Sequence, residues 1–127
     1  MNREILFRGR RLDTGEWAEG FYFCRDTQHY IKVPVVRNGV VVLTDYEVNP
    51  DTIGQFTGLL DKNGKRVFEG DVVIDHRGAQ GVVAWDNECS RYMVYSHWKG
   101  EKYVGYVGRD KPHTVISTIH DQPEKEG

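Results

Sequence analysis

Apolar residues along the chain recur in short runs with a period of two, and no long segment keeps the three-to-four spacing of an amphipathic helix. The clearest alternation is His29-Tyr30-Ile31-Lys32-Val33-Pro34-Val35-Val36. Ile31, Val33 and Val35 share one face there, and Tyr30, Lys32 and Pro34 the other. This predicts a half-buried strand. Pro34 has no N–H to give to a ladder, so the strand is expected at an edge or a bulge. Arg37-Asn38-Gly39-Val40 follows, and Asn-Gly suits a type I′ turn, whose two central residues both take positive φ. Residues 31–36 are therefore expected to pair with 40–43.

The same logic runs on. Asp13-Thr14-Gly15-Glu16 places a turn between the apolar stretches 5–12 and 17–24, giving an N-terminal hairpin. Asn49-Pro50-Asp51 has the cap and the proline for one helical turn. Gly54 follows closely, however, and a turn leading into a short strand over 52–57 is preferred. Asp61-Lys62-Asn63-Gly64-Lys65 joins strands over 56–60 and 66–68. Further strands are expected at 71–75, 82–85, 91–95 and 103–107, the last after a Lys99-Gly100-Glu101 turn. Gly105-Tyr106-Val107-Gly108 reads as a strand end with bulges. Residues 115–120 fit a strand or one helical turn, and 122–127 form a charged, frayed tail. Strands of about five residues at regular spacing indicate a mainly β fold, with antiparallel hairpins packed on a small SH3-like or related β-barrel. The 127 residues suit one domain, with a hairpin region at 1–60, a barrel-like part at 61–121 and the tail at 122–127.

Charge narrows the partners. Lys+Arg is 17 and Asp+Glu 19, a net charge of −2, which gives no chain-wide attraction to nucleic acid or anionic lipid. No apolar run approaches the roughly 20 residues that span a bilayer. The opening residues break with charge too soon for a secretory signal. A cytoplasmic location is expected, with Cys24 and Cys89 reduced and partly buried.

One basic cluster stands out. Residues 1–11 carry four Arg against one Glu, and Arg8, Arg10 and Arg11 lie near Phe7, Trp17 and Tyr22 in the expected hairpin. Arginines interleaved with aromatic rings can hold phosphates and stack bases. Arg8, Arg10, Arg11 and Trp17 are therefore the candidate binding residues, although a solvated or intersubunit charge patch is the preferred reading. Asp71 and Asp75 are four apart on an expected strand, so both fall on one face, as a metal site or an acid–base pair would need. No third ligand follows at a suggestive spacing, and a solvated face is preferred. His29, His76, His97, His113 and His120 form no HxH, HxxxH or HExxH, and neither cysteine has a CxxC partner. GxSxG, GxxxxGK[ST] and GxGxxG are absent. No metal, cofactor or catalytic residue is expected, and the chain reads as a non-enzyme. Trp85, Tyr92, Tyr95, Trp98, Tyr103 and Tyr106 are expected in core or edge packing. Aromatic surface and exposed strand edges are commonly covered by another chain, so a homo-oligomer or a protein partner is expected.

Three stretches together resemble the YopX family of small proteins encoded by bacteriophages and prophages. They are Arg3-Glu4-Ile5-Leu6-Phe7-Arg8-Gly9-Arg10 with Thr14-Gly15-Glu16-Trp17; a centre of Thr52-Ile53-Gly54-Gln55-Phe56-Thr57-Gly58-Leu59, Asp61-Lys62-Asn63-Gly64-Lys65 and Phe68-Glu69-Gly70-Asp71-Val72-Val73; and Ile116-Ser117-Thr118-Ile119-His120-Asp121-Gln122-Pro123. Ser117-Thr118 departs from the family's usual Gly-Asn, which bears on the local turn. The resemblance implies a mostly β fold, a phage or prophage origin and the cytoplasm of a bacterial host. It supplies no catalytic residue, cofactor or substrate. The central stretch reads as architecture that sets turns and register. The expected function is a phage accessory protein that binds itself or another protein through strand edges. The alternative is a nucleic-acid-binding SH3-like module using the arginine cluster.

Overall fold

A computed structural model describes residues 5–88, 90–98, 101–106 and 113–121. Its regular structure is strand, apart from one 3₁₀ turn at Pro50–Thr52. Two compact units meet in sequence between Phe56 and Thr57.

In the first unit, β1 (Phe7–Arg10), β2 (Trp17–Arg25), β3 (Gln28–Arg37), β4 (Val40–Glu47) and the start of β5 (Gly54–Leu60) form an antiparallel sheet in the order β4-β3-β2-β1-β5. The Asn-Gly turn is as expected: Asn38 and Gly39 take φ of 52° and 77°. The ribbon it closes is longer than the expected pairing, running from Tyr30↔Glu47 to Arg37↔Val40. The β2–β3 ladder spans only Phe21↔Lys32 to Arg25↔Gln28. Beyond Lys32, β3 therefore has a ladder on one side alone among the described residues, and Pro34 sits in that stretch, where an absent N–H costs least. Ile31 is fully buried against Ala18 and Val48, and Phe7, Tyr22, Val33, Tyr46 and Ile53 pack around them.

The preference for a strand starting at residue 52 is corrected. Asn49 caps a 3₁₀ turn, its side chain accepting from Asp51 N. The buried Thr52 hydroxyl accepts from Arg10 N at 2.8 Å and donates to Asn49 O at 2.6 Å. With its polar groups satisfied, this single turn is stable in place, and β5 starts at Gly54.

In the second unit, β6 (Arg66–Phe68) lies beside the remainder of β5. A separate sheet has the order β10-β9-β8-β7-β11, from β7 (Asp71–Ile74), β8 (Gln80–Asp86), β9 (Arg91–Trp98), β10 (Glu101–Tyr106) and β11 (Thr114–Thr118). Val67 of β6 packs with Val73, Val83 and Val94 of this sheet to form a core, flanked by Tyr92 and Val115. The ambiguous segment near residue 115 is a strand, with an irregularity between Val115 and Ser117 and a turn after it. Gly70 makes the corner before β7. Its N–H donates to Val83 O at 2.8 Å, and its carbonyl accepts from Ile119 N at 2.9 Å and the Thr118 hydroxyl at 3.2 Å. Its φ is +87°, and an added Cβ would lie 2.9 Å from His120 Nε2. Only glycine meets both conditions without strain.

The mainly β, antiparallel fold is thus present. Both sheets are open among the described residues, and the closed SH3-like barrel does not form there. Cys24 is free, but exposed rather than partly buried, because it lies near the end of β2. Trp85 and Tyr92 pack edge to face at 5.0 Å. The Tyr95 hydroxyl donates to Asp86 at 2.7 Å. Cys89, the Lys99-Gly100 turn, Val107-Gly108, residues 122–127 and the side chains of His97, Trp98, Tyr103 and Tyr106 lie outside the described residues. Among those described, no helix is long and apolar enough to cross a membrane.

Candidate interaction surface

The strand period decides which candidate residues meet. Arg10 pairs with Trp17, and Arg8 with Glu19, across β1 and β2. These four side chains therefore share one face. Both guanidiniums lie 4.1 Å from the Trp17 ring centroid, and Arg10 also donates to Gly15 O at 3.1 Å. Gly54 is the β5 partner of Arg8. Arg8 is buried. Arg11 stacks 4.1 Å from the Tyr46 centroid and holds Asp13 through two hydrogen bonds of 2.9 and 2.7 Å. That bond holds the Asp13 carboxyl below the usual carboxylate range. Phe7 and Tyr22 point to the opposite, core-packed face, with the Tyr22 hydroxyl 2.6 Å from His29 Nδ1. The structure thus brings Arg8, Arg10 and Trp17 together, ties Arg11 to Tyr46 and Asp13, and separates the other aromatics. The ring faces a base would need are stacked against arginines of the same chain.

The acidic pair is taken apart. Asp71 is 1% exposed, so the expected solvated face is corrected; its carboxylate accepts from Phe68 N at 2.8 Å. Asp75 lies past the end of β7 and organises the next turn, accepting from Arg77 N at 2.8 Å and Ala79 N at 2.9 Å. A third carboxylate, Asp61, does more than the sequence suggested. One of its oxygens accepts from Asn63 N and Lys65 N, both at 2.8 Å, and the other from Val115 N at 3.0 Å, 54 positions along the chain. Burial pushes its carboxyl up, and the N–H donors of Val115, Lys65 and Asn63 with the Lys65 charge more than offset that, so it titrates below the usual range. Asp75 is held low in the same way. His113 moves below its ordinary value because it is buried, with the Asp75 charge opposing the shift. Among the described residues, no group of three or more His, Cys, Asp or Glu is placed to hold a metal ion.

The surface that sequence reasoning missed is the far end of the β3–β4 ribbon. Val36 is 70% exposed, Val40 62%, Val41 63%, Val42 41% and Leu43 59%. The register places Val41 beside Val36 and Leu43 beside Pro34 on one face, with Val42 beside Val35 on the other. Both faces are therefore apolar. β4 is an outer strand of its sheet. From Val40 to Leu43 it carries no charge, proline or bulge, the usual devices that keep such an edge from pairing. At the ribbon's base Lys32 bonds Asp45 at 2.9 Å, and Phe21, opposite Lys32 and 62% exposed, extends the apolar side. The signal was in the sequence: four consecutive apolar residues in a strand put apolar side chains on both faces.

The YopX protein family model matches residues 6–125, nearly the whole chain. No curated protein matches it.

Proposed function

We propose, from the premise that this chain belongs to the YopX family, that it is a non-enzymatic phage or prophage accessory protein which works by binding protein through the β3–β4 ribbon. One observation carries this reading: an unblocked outer strand, Val40–Leu43, exposes aliphatic side chains on both faces. Water is a poor neighbour for such a strand, and exposed apolar patches on soluble proteins mark interaction sites. A partner strand added at β4 would satisfy the outward backbone groups and set its own side chains beside the valines. The strand offers nothing to phosphate, so protein is its natural complement. Asp61, Asp71 and Asp75 support the non-enzymatic reading, because each binds backbone N–H groups. The reading implies the cytoplasm of the bacterial host.

The test is retention from nuclease-treated extracts of infected or induced host cells, with the native chain and a Val36→Lys/Val41→Lys double variant as baits. Protein held by the native bait and lost by the variant is the expected result. Equal retention by both baits contradicts it.

A further inference from the structure

Three features of the β3–β4 ribbon identify its partner. The first is the pattern along the edge. Between Arg37 and Asp45 no charged residue interrupts β4, so the edge meets a copy of itself without like charges opposed. Antiparallel pairing centred on Val42 would set Val42 against Val42 of the second copy, and Val41 against its Leu43. Each row continues into β3 through Val35, Val36 and Pro34. The result is an uninterrupted apolar band across four strands.

The second feature is charge direction. The ribbon's tip carries exposed Arg37, and its base carries exposed Glu47 beside the Lys32–Asp45 ion pair. Antiparallel pairing points each basic tip toward the acidic base of the other copy. Parallel pairing would set tip against tip and base against base. Only the two-fold antiparallel arrangement is complementary.

The third is the seam: Val41, Val42 and Leu43, 63%, 41% and 59% exposed, each gain an aliphatic cross-strand neighbour from the second copy.

We propose that β4 pairs antiparallel with β4 of a second copy of this chain, about a two-fold axis near Val42, joining two ribbons into one four-stranded sheet. This rests on the protein-binding reading above and adds the identity of the partner.

The experiment uses the full chain. Sedimentation is measured across a wide concentration range for the native protein and for Val42→Lys, which opposes two ammonium groups at the axis. The native mass should be twice the chain mass, and Val42→Lys should halve it with an unchanged circular dichroism spectrum. Val42→Cys, in a Cys24→Ser/Cys89→Ser background, should cross-link between chains on mild oxidation. Val33→Cys, further from the axis and on β3, should not. A dimer that ignores Val42→Lys, or a Val42→Cys chain that cross-links no better than Val33→Cys, overturns the assignment. A native monomer overturns it too. If a monomeric bait still retains other protein in a β4-dependent way, only the second-copy assignment falls. If neither self-pairing nor β4-dependent retention is seen, both readings fall.

Discussion

β4 and β8 begin from almost the same material. One carries Val40-Val41-Val42-Leu43 and the other Val82-Val83-Ala84-Trp85. β8 lies between β7 and β9, and its side chains alternate until Val83 is 1% exposed in the core. Among the described residues β4 has a strand on one side only, and none of its residues from Val40 to Leu43 is buried. The valines are equivalent chemically; what differs is whether the chain supplies a neighbour. In the second unit Val83 is consumed by core packing, although Leu60, Trp85, Ile116 and Ile119 stay exposed, and Asp61 and Asp75 are consumed by turns. In the first, an apolar strand is left over.

Substitutions should therefore divide sharply between the two strands. Val83→Lys forces a charge into the core and should cost more than about 4 kcal/mol, leaving the second unit unfolded by circular dichroism. Asp61→Ala strands the N–H groups of Asn63, Lys65 and Val115 and should cost about 3 kcal/mol in urea denaturation. Gly70→Ala combines a positive φ with contact against His120 and should cost about 2 kcal/mol.

Acid should strike the second unit in two stages. His113 titrates below its unfolded value, so the unfolded chain gains a proton first and stability begins to fall as pH drops through the ordinary histidine range. Asp61 and Asp75 are also depressed. Their contribution is complete above the ordinary carboxylate range and is lost as pH falls through their lowered folded values. Asp61→Asn should flatten that acid limb in a pH series of urea midpoints. Val41→Lys should be the mildest change, within about 0.5 kcal/mol of native when measured on the dissociated chain.

Much of this was legible in the sequence because turns are local. Asn38-Gly39 and Asp61 to Lys65 encode their reversals within a few residues, so the hairpins followed. The longer-range features did not. Asp61 reaching Val115 and Arg8 lying opposite Gly54 depend on which strands become neighbours, and no local pattern states that. Strand count and period likewise leave closure undecided, which is why a barrel was expected and open sheets were found. Around Trp17 the expectation grouped all three rings with the arginines, whereas the register puts Trp17 on the face of Arg8 and Arg10 and leaves Phe7 and Tyr22 on the other. The exposed ribbon needs two facts together: four apolar residues in a row put side chains on both faces, and the sheet order leaves β4 outermost, which no local pattern states.

Amide hydrogen exchange along β4 tests the central claim most directly. In concentrated native protein the outward N–H groups within Val40–Leu43 should be protected, and dilution or Val42→Lys should release them while β8 stays protected. Fast exchange at those positions at every concentration, in native and variant alike, would contradict the account.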